Sequence, residues 1–167
     1  ARRRHEVERR GVVELEDHTT STGSNSGGGQ GGVFTGQQLQ NELAWYSSIA
    51  AAFKGNPYVW FGTNNEPPGP AGLSQWHKQT YDAIRSTGNN APILIDPMGG
   101  GFTDGLDPSV YAGMSNIVGD VHFYGWAANF SADQGTVNQS LAGFVSEARA
   151  MFNGAPVIIG EYGDSTT

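Results

Sequence analysis

The sequence has no cysteine, little charge and no long hydrophobic run. Without cysteine the chain can form neither disulfides nor thiolate metal sites. Charged residues make up only 15% of the 167 positions, which argues against a charged helical bundle. No run of about 18 apolar residues is present, so the sequence predicts no membrane-spanning helix. Residues 1–10 lack the apolar segment of a secretory signal peptide.

Positive charge is also scarce, and it is unevenly placed. The net charge of −7 argues against nucleic acid and anionic membranes as partners. Five of the nine basic residues lie in the first ten positions. Such a run suits either a nucleic-acid-binding arm or a solvated helix face, and the acidic remainder of the chain favours the second.

Glycine is abundant instead, with 25 residues, and the chain has the length of one domain. We therefore treat residues 1–167 as one domain. Within it, Thr19–Gly32 is a low-complexity stretch of Gly, Ser and Thr that predicts a flexible loop.

Short apolar strands alternate with helical patterns along the rest of the chain. Apolar residues recur at helical spacing between 39 and 53, between 74 and 87 and between 141 and 152. Thr35 and Thr136 are the candidate caps of the first and last of these helices. Five strand-like runs surround them, at 11–18, 58–62, 92–96, 116–124 and 156–163. This alternation with nearly continuous apolar strands predicts a parallel α/β sheet.

Polar residues follow each predicted strand at its C-terminal end. In open α/β sheets and in β/α barrels this edge is where functional sites are built. The sequence therefore predicts a site formed by residues from five strand ends: His18, Asn65, Glu66, Asp96, His122, Tyr124 and Glu161.

Two of these strand ends carry glutamates, Glu66 and Glu161. A pair of facing carboxyl groups is the minimum equipment for glycosidic hydrolysis, because one protonates the leaving oxygen and the other attacks or activates water. His122 and Tyr124 lie two residues apart on one strand and so share a face, from which they can contact the pair. A single glutamate at a strand end is equally well explained as a solvated side chain. Two such glutamates, with a His and a Tyr on the strand between them, favour a catalytic site.

Three of the motifs resemble those of glycoside hydrolase family 5, whose fold is a (β/α)8 TIM barrel. "FGTNNEP" (61–67) is similar to its fourth strand, "VHFYGW" (121–126) to its sixth and "IIGEYG" (158–163) to its seventh, in the same order. "GVVELEDHT" (11–19) is similar to the third strand, which ends in a histidine.

The resemblance implies a role for each matching residue. Glu66 corresponds to the general acid/base and Glu161 to the nucleophile of a retaining mechanism that needs no metal or organic cofactor. Asn65 corresponds to the residue that binds the sugar hydroxyl next to the reacting carbon. Tyr124 is expected to orient the nucleophile. The remaining substrate-site residues implied are His18, His122 and Trp126.

A complete barrel of this kind needs about 250 residues and eight strands, whereas this chain supplies five β/α units that resemble strands three to seven. The strands that carry the family's site arginine and platform tryptophan are absent. We therefore expect an incomplete TIM barrel. The resemblance also implies an extracellular enzyme that is monomeric when full length, with a β-linked polysaccharide as its partner and no nucleic acid or membrane.

Aromatic side chains suggest where a sugar would stack. Trp126 and Trp76 are the candidates, while Trp45 and Trp60 lie within helix and strand runs and are expected in the core; His77 is expected at the surface. The substrate predicted first is β-1,4-glucan, as for a cellulase, and the second is β-1,4-mannan. Two other classes stay open: a carbohydrate-binding protein without activity, and an unrelated doubly wound α/β binding protein.

Overall fold

The computed structural model describes residues 11–23, 31–125 and 133–163, and its centre is a sheet of five parallel strands. The strands are β1 (Val13–Leu15), β2 (Val59–Gly62), β3 (Ile93–Ile95), β4 (Ile117–Tyr124) and β5 (Val157–Gly163). Each pairs with the next in chain order, β1-β2-β3-β4-β5. A doubly wound sheet reverses its strand order at a switch point; this sheet does not, and its strands curl into a half-barrel.

Four helices connect the strands: α1 (Gly36–Ala52), α2 (Leu73–Ser86), α3 (Pro108–Tyr111) and α4 (Gln134–Met151). The prediction of an incomplete β/α barrel is therefore confirmed, with the short α3 as an addition that periodicity did not indicate. None of the helices in the described ranges is long and apolar enough to cross a bilayer.

The core lies between the sheet and the helices. Its largest fully buried side chains include Tyr46, Phe61, Trp76, Ile84, Ile93, Tyr111 and Phe152. Burial of this apolar surface is what orients each strand, because alternate residues must face the helices. The other alternate residues then project from the concave side and the strand ends, where the polar residues gather.

The cap position predicted for α1 is confirmed, because Thr35 is its N-cap residue, whereas the cap predicted for α4 is wrong. Thr35 precedes α1 but its side chain makes no capping hydrogen bond. At α4 the cap is Asp133, whose carboxylate accepts hydrogen bonds from the Thr136 amide and hydroxyl at 3.1 and 2.8 Å. A carboxylate at this position accepts two donors of the first turn, which the shorter hydroxyl of Thr136 cannot do.

Candidate active site

The two glutamates predicted from the strand ends lie close together. One carboxylate oxygen of Glu66, one of Glu161 and a ring nitrogen of His122 all lie within 4.8 Å of one another. Glu66 follows β2, whereas His122 and Glu161 lie on the paired strands β4 and β5. Residues that are far apart in the sequence thus meet at the C-terminal edge of the sheet, as parallel strands require.

His122 is the centre of this group. Its Nδ1 atom is 3.0 Å from Glu66 Oε1 and 3.5 Å from Glu161 Oε2, and its side chain is only 3% exposed. A register shift between β4 and β5 brings it there: Val121 pairs with Ile159, but His122 pairs with Glu161. The skipped residue, Gly160, leaves the space that the Asp120 carboxylate occupies. The register shift therefore places Glu161 opposite His122, within 3.5 Å of its Nδ1 atom.

Tyr124 contacts Glu161 from the same face of β4. Its hydroxyl donates a hydrogen bond of 2.7 Å to Glu161 Oε2. This bond to a carboxylate raises the pKa of the Tyr124 phenol to about 12, so the hydroxyl stays a donor at neutral pH. Placing His122 and Tyr124 on one face, as the sequence predicts, thus brings both into contact with Glu161.

Asn65 lies beside Glu66 and is nearly buried. The backbone N–H of Asn65 donates a hydrogen bond of 2.9 Å to the Asp17 carbonyl. Its side-chain Oδ1 is buried and has no hydrogen-bond partner among the described residues. A buried acceptor without a partner is unfavourable for the stability of the fold.

Asn64 is a site residue that sequence reasoning missed. Its side-chain amide donates to the carbonyls of Asp17 and Thr19, at 3.2 and 2.6 Å, and to the Asp17 carboxylate. These bonds attach the segment after β1 to the end of β2. The signal is the first Asn in "TNNEP", which directly precedes Asn65.

His18 does not reach the two glutamates. Its Nε2 atom is 2.8 Å from Glu16 Oε1, and its side chain is 55% exposed. In the described part of the chain it makes no hydrogen bond or ion pair with Glu66 or Glu161. Because Asp17 is bonded to Asn64 and Asn65, the next side chain turns outward. The role expected for His18 stays a prediction, as does that of Trp126, which lies outside the described residues.

The tryptophan assignments need two corrections. Trp76 is 2% exposed and its indole N–H donates to Glu42 at 2.6 Å, so it belongs to the core. Trp45 was expected in the core but is 42% exposed, and it borders a cavity of about 450 Å³ beside Asp17. Both residues lie on helices, and their spacing did not reveal which helix face the neighbouring elements cover.

His77 also differs from expectation. It was predicted at the surface, but it is 1% exposed and its Nδ1 atom lies 2.9 Å from the Tyr111 hydroxyl. Burial lowers the pKa of the imidazole to about 3, so His77 is neutral at physiological pH. It pairs with Tyr111 in the core between α2 and α3 and has no part in the site.

The surroundings of the glutamates are strongly acidic. Burial, with the nearby Glu16 and Asp120 carboxylates, raises the pKa of Glu14 to about 8. Burial also raises the pKa of Asp96 and of Asp120. No lysine or arginine forms an ion pair with Glu66 or Glu161 within the described ranges. Among the described side chains that contact the glutamates, His122 is therefore the only one with a basic nitrogen.

In a comparison with protein-family models, residues 18–167 match the cellulase model (glycosyl hydrolase family 5). The chain belongs to glycoside hydrolase family 5. This match covers every strand end that carries the site, from His18 to Glu161. No curated protein matches this family 5 chain significantly.

Solved structures share the fold of this family 5 chain. An endo-β-1,4-glucanase from Xanthomonas axonopodis pv. citri has a TM-score of 0.64 and 19% identity over 93% of this chain and 53% of its own. A Thermobifida fusca endoglucanase catalytic domain has a TM-score of 0.58 and 19% identity, and the match covers 91% of this chain and 46% of that domain. A Thermomonospora fusca β-mannanase in complex with mannotriose has a TM-score of 0.61 and 23% identity, and the match covers 91% of this chain and 49% of the mannanase. The chain thus spans about half the length of these structures.

Proposed function

We propose that this chain carries the catalytic pair of a retaining glycoside hydrolase that cleaves β-1,4-linked polysaccharide. The observation that carries the proposal is the meeting of Glu66, His122 and Glu161 oxygen and nitrogen atoms within 4.8 Å. Carboxyl groups about 5 Å apart suit direct attack on the sugar, whereas inverting enzymes keep them about 6.5–9.5 Å apart to admit a water. The short separation supports the retaining mechanism.

The reaction takes place in two displacements. In the first, the Glu161 carboxylate attacks the anomeric carbon, the bond to the leaving oxygen breaks, and that oxygen takes the proton of Glu66. In the second, Glu66 removes a proton from water, whose oxygen attacks the same carbon and releases Glu161. Tyr124 orients the nucleophile through its hydrogen bond, and Asn65 offers its free side-chain oxygen to a sugar hydroxyl.

We propose β-1,4-glucan as the first substrate and β-1,4-mannan as the second. The endoglucanase and mannanase structures that share the fold support both. The exposed indole of Trp45 beside its cavity offers an apolar face on which either sugar can stack. Because such polymers do not enter cells, we place the reaction outside the cell.

Hydrolysis of soluble β-1,4-glucan and β-1,4-mannan tests the proposal, measured as released reducing ends. The wild type is expected to be active and Glu161→Gln inactive, with the exposed Glu147 on α4 changed to Gln as the matched control. Proton NMR of the first product is expected to show the β-anomer. A wild type that binds oligosaccharides without cleaving them would instead indicate a carbohydrate-binding protein.

The same three side chains also offer ligand atoms for a divalent cation, since a His nitrogen and two carboxylates suit such ions. The proposed reaction needs no ion, because both displacements use only carboxyl groups. Activity is therefore expected to be unchanged by a chelator. A loss that returns on adding one divalent metal would replace this mechanism with a metal-dependent one.

A further inference from the structure

The glycine-rich segment that follows β3 contacts the candidate catalytic residues at three points. We call residues 96–100 the 96–100 loop. The Asp96 carboxylate accepts the backbone N–H of Glu66 at 2.5 Å. The Gly99 amide donates to the Pro67 carbonyl at 3.0 Å, and the Gly100 carbonyl accepts the His122 amide at 2.5 Å. One loop is thus bonded to the backbone on both sides of the Glu66–His122 contact.

The first of these bonds acts on a strained residue. Glu66 has φ +41°, in the left-handed region that residues with a side chain enter only at a cost in free energy. Such a conformation persists only where neighbouring groups hold it. The Asp96 side chain meets that requirement, because its Oδ2 atom accepts the backbone N–H of Glu66 and so fixes the peptide group that precedes the strained residue.

Asp96 is buried, and one of its two carboxyl oxygens lacks a hydrogen-bond partner among the described residues. It is 2% exposed, and its Oδ1 atom has no hydrogen-bond partner among the described residues. Its Oδ2 atom, besides the Glu66 amide, lies 3.8 Å from His122 Nε2. Burying a carboxyl group with an unpartnered oxygen costs free energy.

Gly100 supplies space rather than a bond to a side chain. Its φ is +78°, and a Cβ atom there would lie 2.7 Å from His122 Cβ and 2.9 Å from Glu66 Oε1. Any other residue would therefore push apart the two side chains that meet at 3.0 Å. The glycine is required by both backbone conformation and close approach.

We infer that the 96–100 loop is a positioning element for the acid/base glutamate, and this inference rests on the proposed function. Asp96 holds the Glu66 backbone in its left-handed conformation, which aims the carboxyl group at the leaving oxygen, and Gly100 leaves the space in which Glu66 meets His122. Asp96 is a positioning residue: it acts through Glu66 and touches no substrate atom.

Two substrates with different leaving groups test the inference. An oligosaccharide needs protonation of its leaving oxygen, whereas dinitrophenolate leaves without it. For Asp96→Ala we expect kcat/KM on a β-1,4-oligosaccharide to fall roughly 10- to 100-fold. On the dinitrophenyl β-glycoside we expect a change of less than about threefold. Asp96→Asn, which keeps an acceptor oxygen, is expected to restore most of the loss. Asp82→Asn, at an exposed position of α2, is the charge-matched control.

A second readout does not need activity. The Glu66 amide proton, in a short hydrogen bond to Asp96 Oδ2, is expected downfield in the ¹H–¹⁵N NMR spectrum and is expected to move upfield in Asp96→Ala, which removes the acceptor. A crystal structure of Gly100→Ala is expected to show Glu66 and His122 separated. Equal losses on both substrates, or an unmoved Glu66 amide, would overturn the inference. A wild type that cleaves neither substrate would refute the proposed function, and the amide shift would still decide the role of Asp96.

Discussion

The two strand-end glutamates occupy different surroundings. Glu66 is 18% exposed, has a left-handed backbone and is bonded to elements on both sides: its amide to Asp96, its carboxylate to His122. Glu161 is 40% exposed and lies on β5 at the register shift, and β5 pairs only with β4 in the described sheet. Among the described residues, Tyr124 donates a hydrogen bond to its carboxylate.

The difference fits a division of labour between the two carboxyl groups. A retaining pair needs one group that exchanges a proton and one that stays a nucleophile, and environment is what separates them. Glu66 is fixed in direction by its backbone, as a proton donor to one defined oxygen must be. Glu161 is held at the carboxylate by a phenol that remains protonated and is more open to the sugar carbon.

The largest effect is expected from removing either carboxyl group, because the proposed mechanism uses both groups in both displacements. Glu66→Ala and Glu161→Ala are both expected to lower hydrolysis on the order of 10³-fold or more. Sodium azide distinguishes them with the dinitrophenyl glycoside. It should give the β-glycosyl azide with Glu66→Ala, after two displacements, and the α-azide with Glu161→Ala, after one. The same anomer from both variants would contradict the assignment.

Glu42 on α1 shows what burial does to a carboxyl group outside the site. It is 7% exposed, and burial raises its pKa to about 8 despite the hydrogen bond from Trp76. The folded state therefore holds this proton more tightly than the unfolded state, whose value is 4.5. The stability contribution is complete below pH 4.5 and is lost as the pH rises to about 8.

Urea unfolding at several pH values measures this effect. Relative to Glu42→Gln, which mimics the protonated form, the wild type is expected to lose stability on the order of a few kcal/mol across that interval. Glu147→Gln, at an exposed position, should run parallel to the wild type. A constant difference between wild type and Glu42→Gln at all pH values would contradict the raised pKa.

Tyr124 tests the environment of Glu161 alone. Tyr124→Phe removes the 2.7 Å hydrogen bond and is expected to lower kcat about tenfold with little change in KM, because the nucleophile loses its orientation. The tyrosinate absorbance provides a second measurement. The step near pH 12 should move toward the ordinary value of 10.0 in Glu161→Gln, since the bond to the carboxylate causes the shift. An unchanged titration would show that the two groups do not interact.

The smallest effect is expected from Trp45, which touches neither glutamate. If a sugar stacks on its exposed face, Trp45→Ala should weaken oligosaccharide binding a few-fold, as measured by calorimetry, and leave kcat unchanged. Phe53→Ala, at another exposed aromatic position near the end of α1, is the control. Equal affinities for all three proteins would remove Trp45 from the substrate path.

Local patterns carried most of the fold prediction. Strand and helix alternation is visible in the sequence because buried parallel strands are continuously apolar and helices repeat every 3.6 residues. Patterns of this kind do not show which helix face a neighbour covers. That is why Trp45, Trp76 and His77 were each assigned to the wrong environment.

For the candidate site, too, the sequence predicted which residues lie near each other but not their contacts. Glu66, Glu161, His122 and Tyr124 were found because polar residues at the ends of parallel strands must share one edge. Asp96 was found at that edge too, but its contact with the Glu66 amide depends on a backbone conformation that sequence does not display.

The sequence by itself determined the alternation of strands and helices, the five strand ends and the residue types found there, because these follow from periodicity and chain direction. Only the tertiary structure decided the distances. The skipped Gly160 aims Glu161 at His122, the left-handed turn at Glu66 aims its carboxyl group, and the bare Cα of Gly100 lets the two sides meet. Each depends on packing between segments distant in sequence, where a shift of one residue or one methyl group changes the contact.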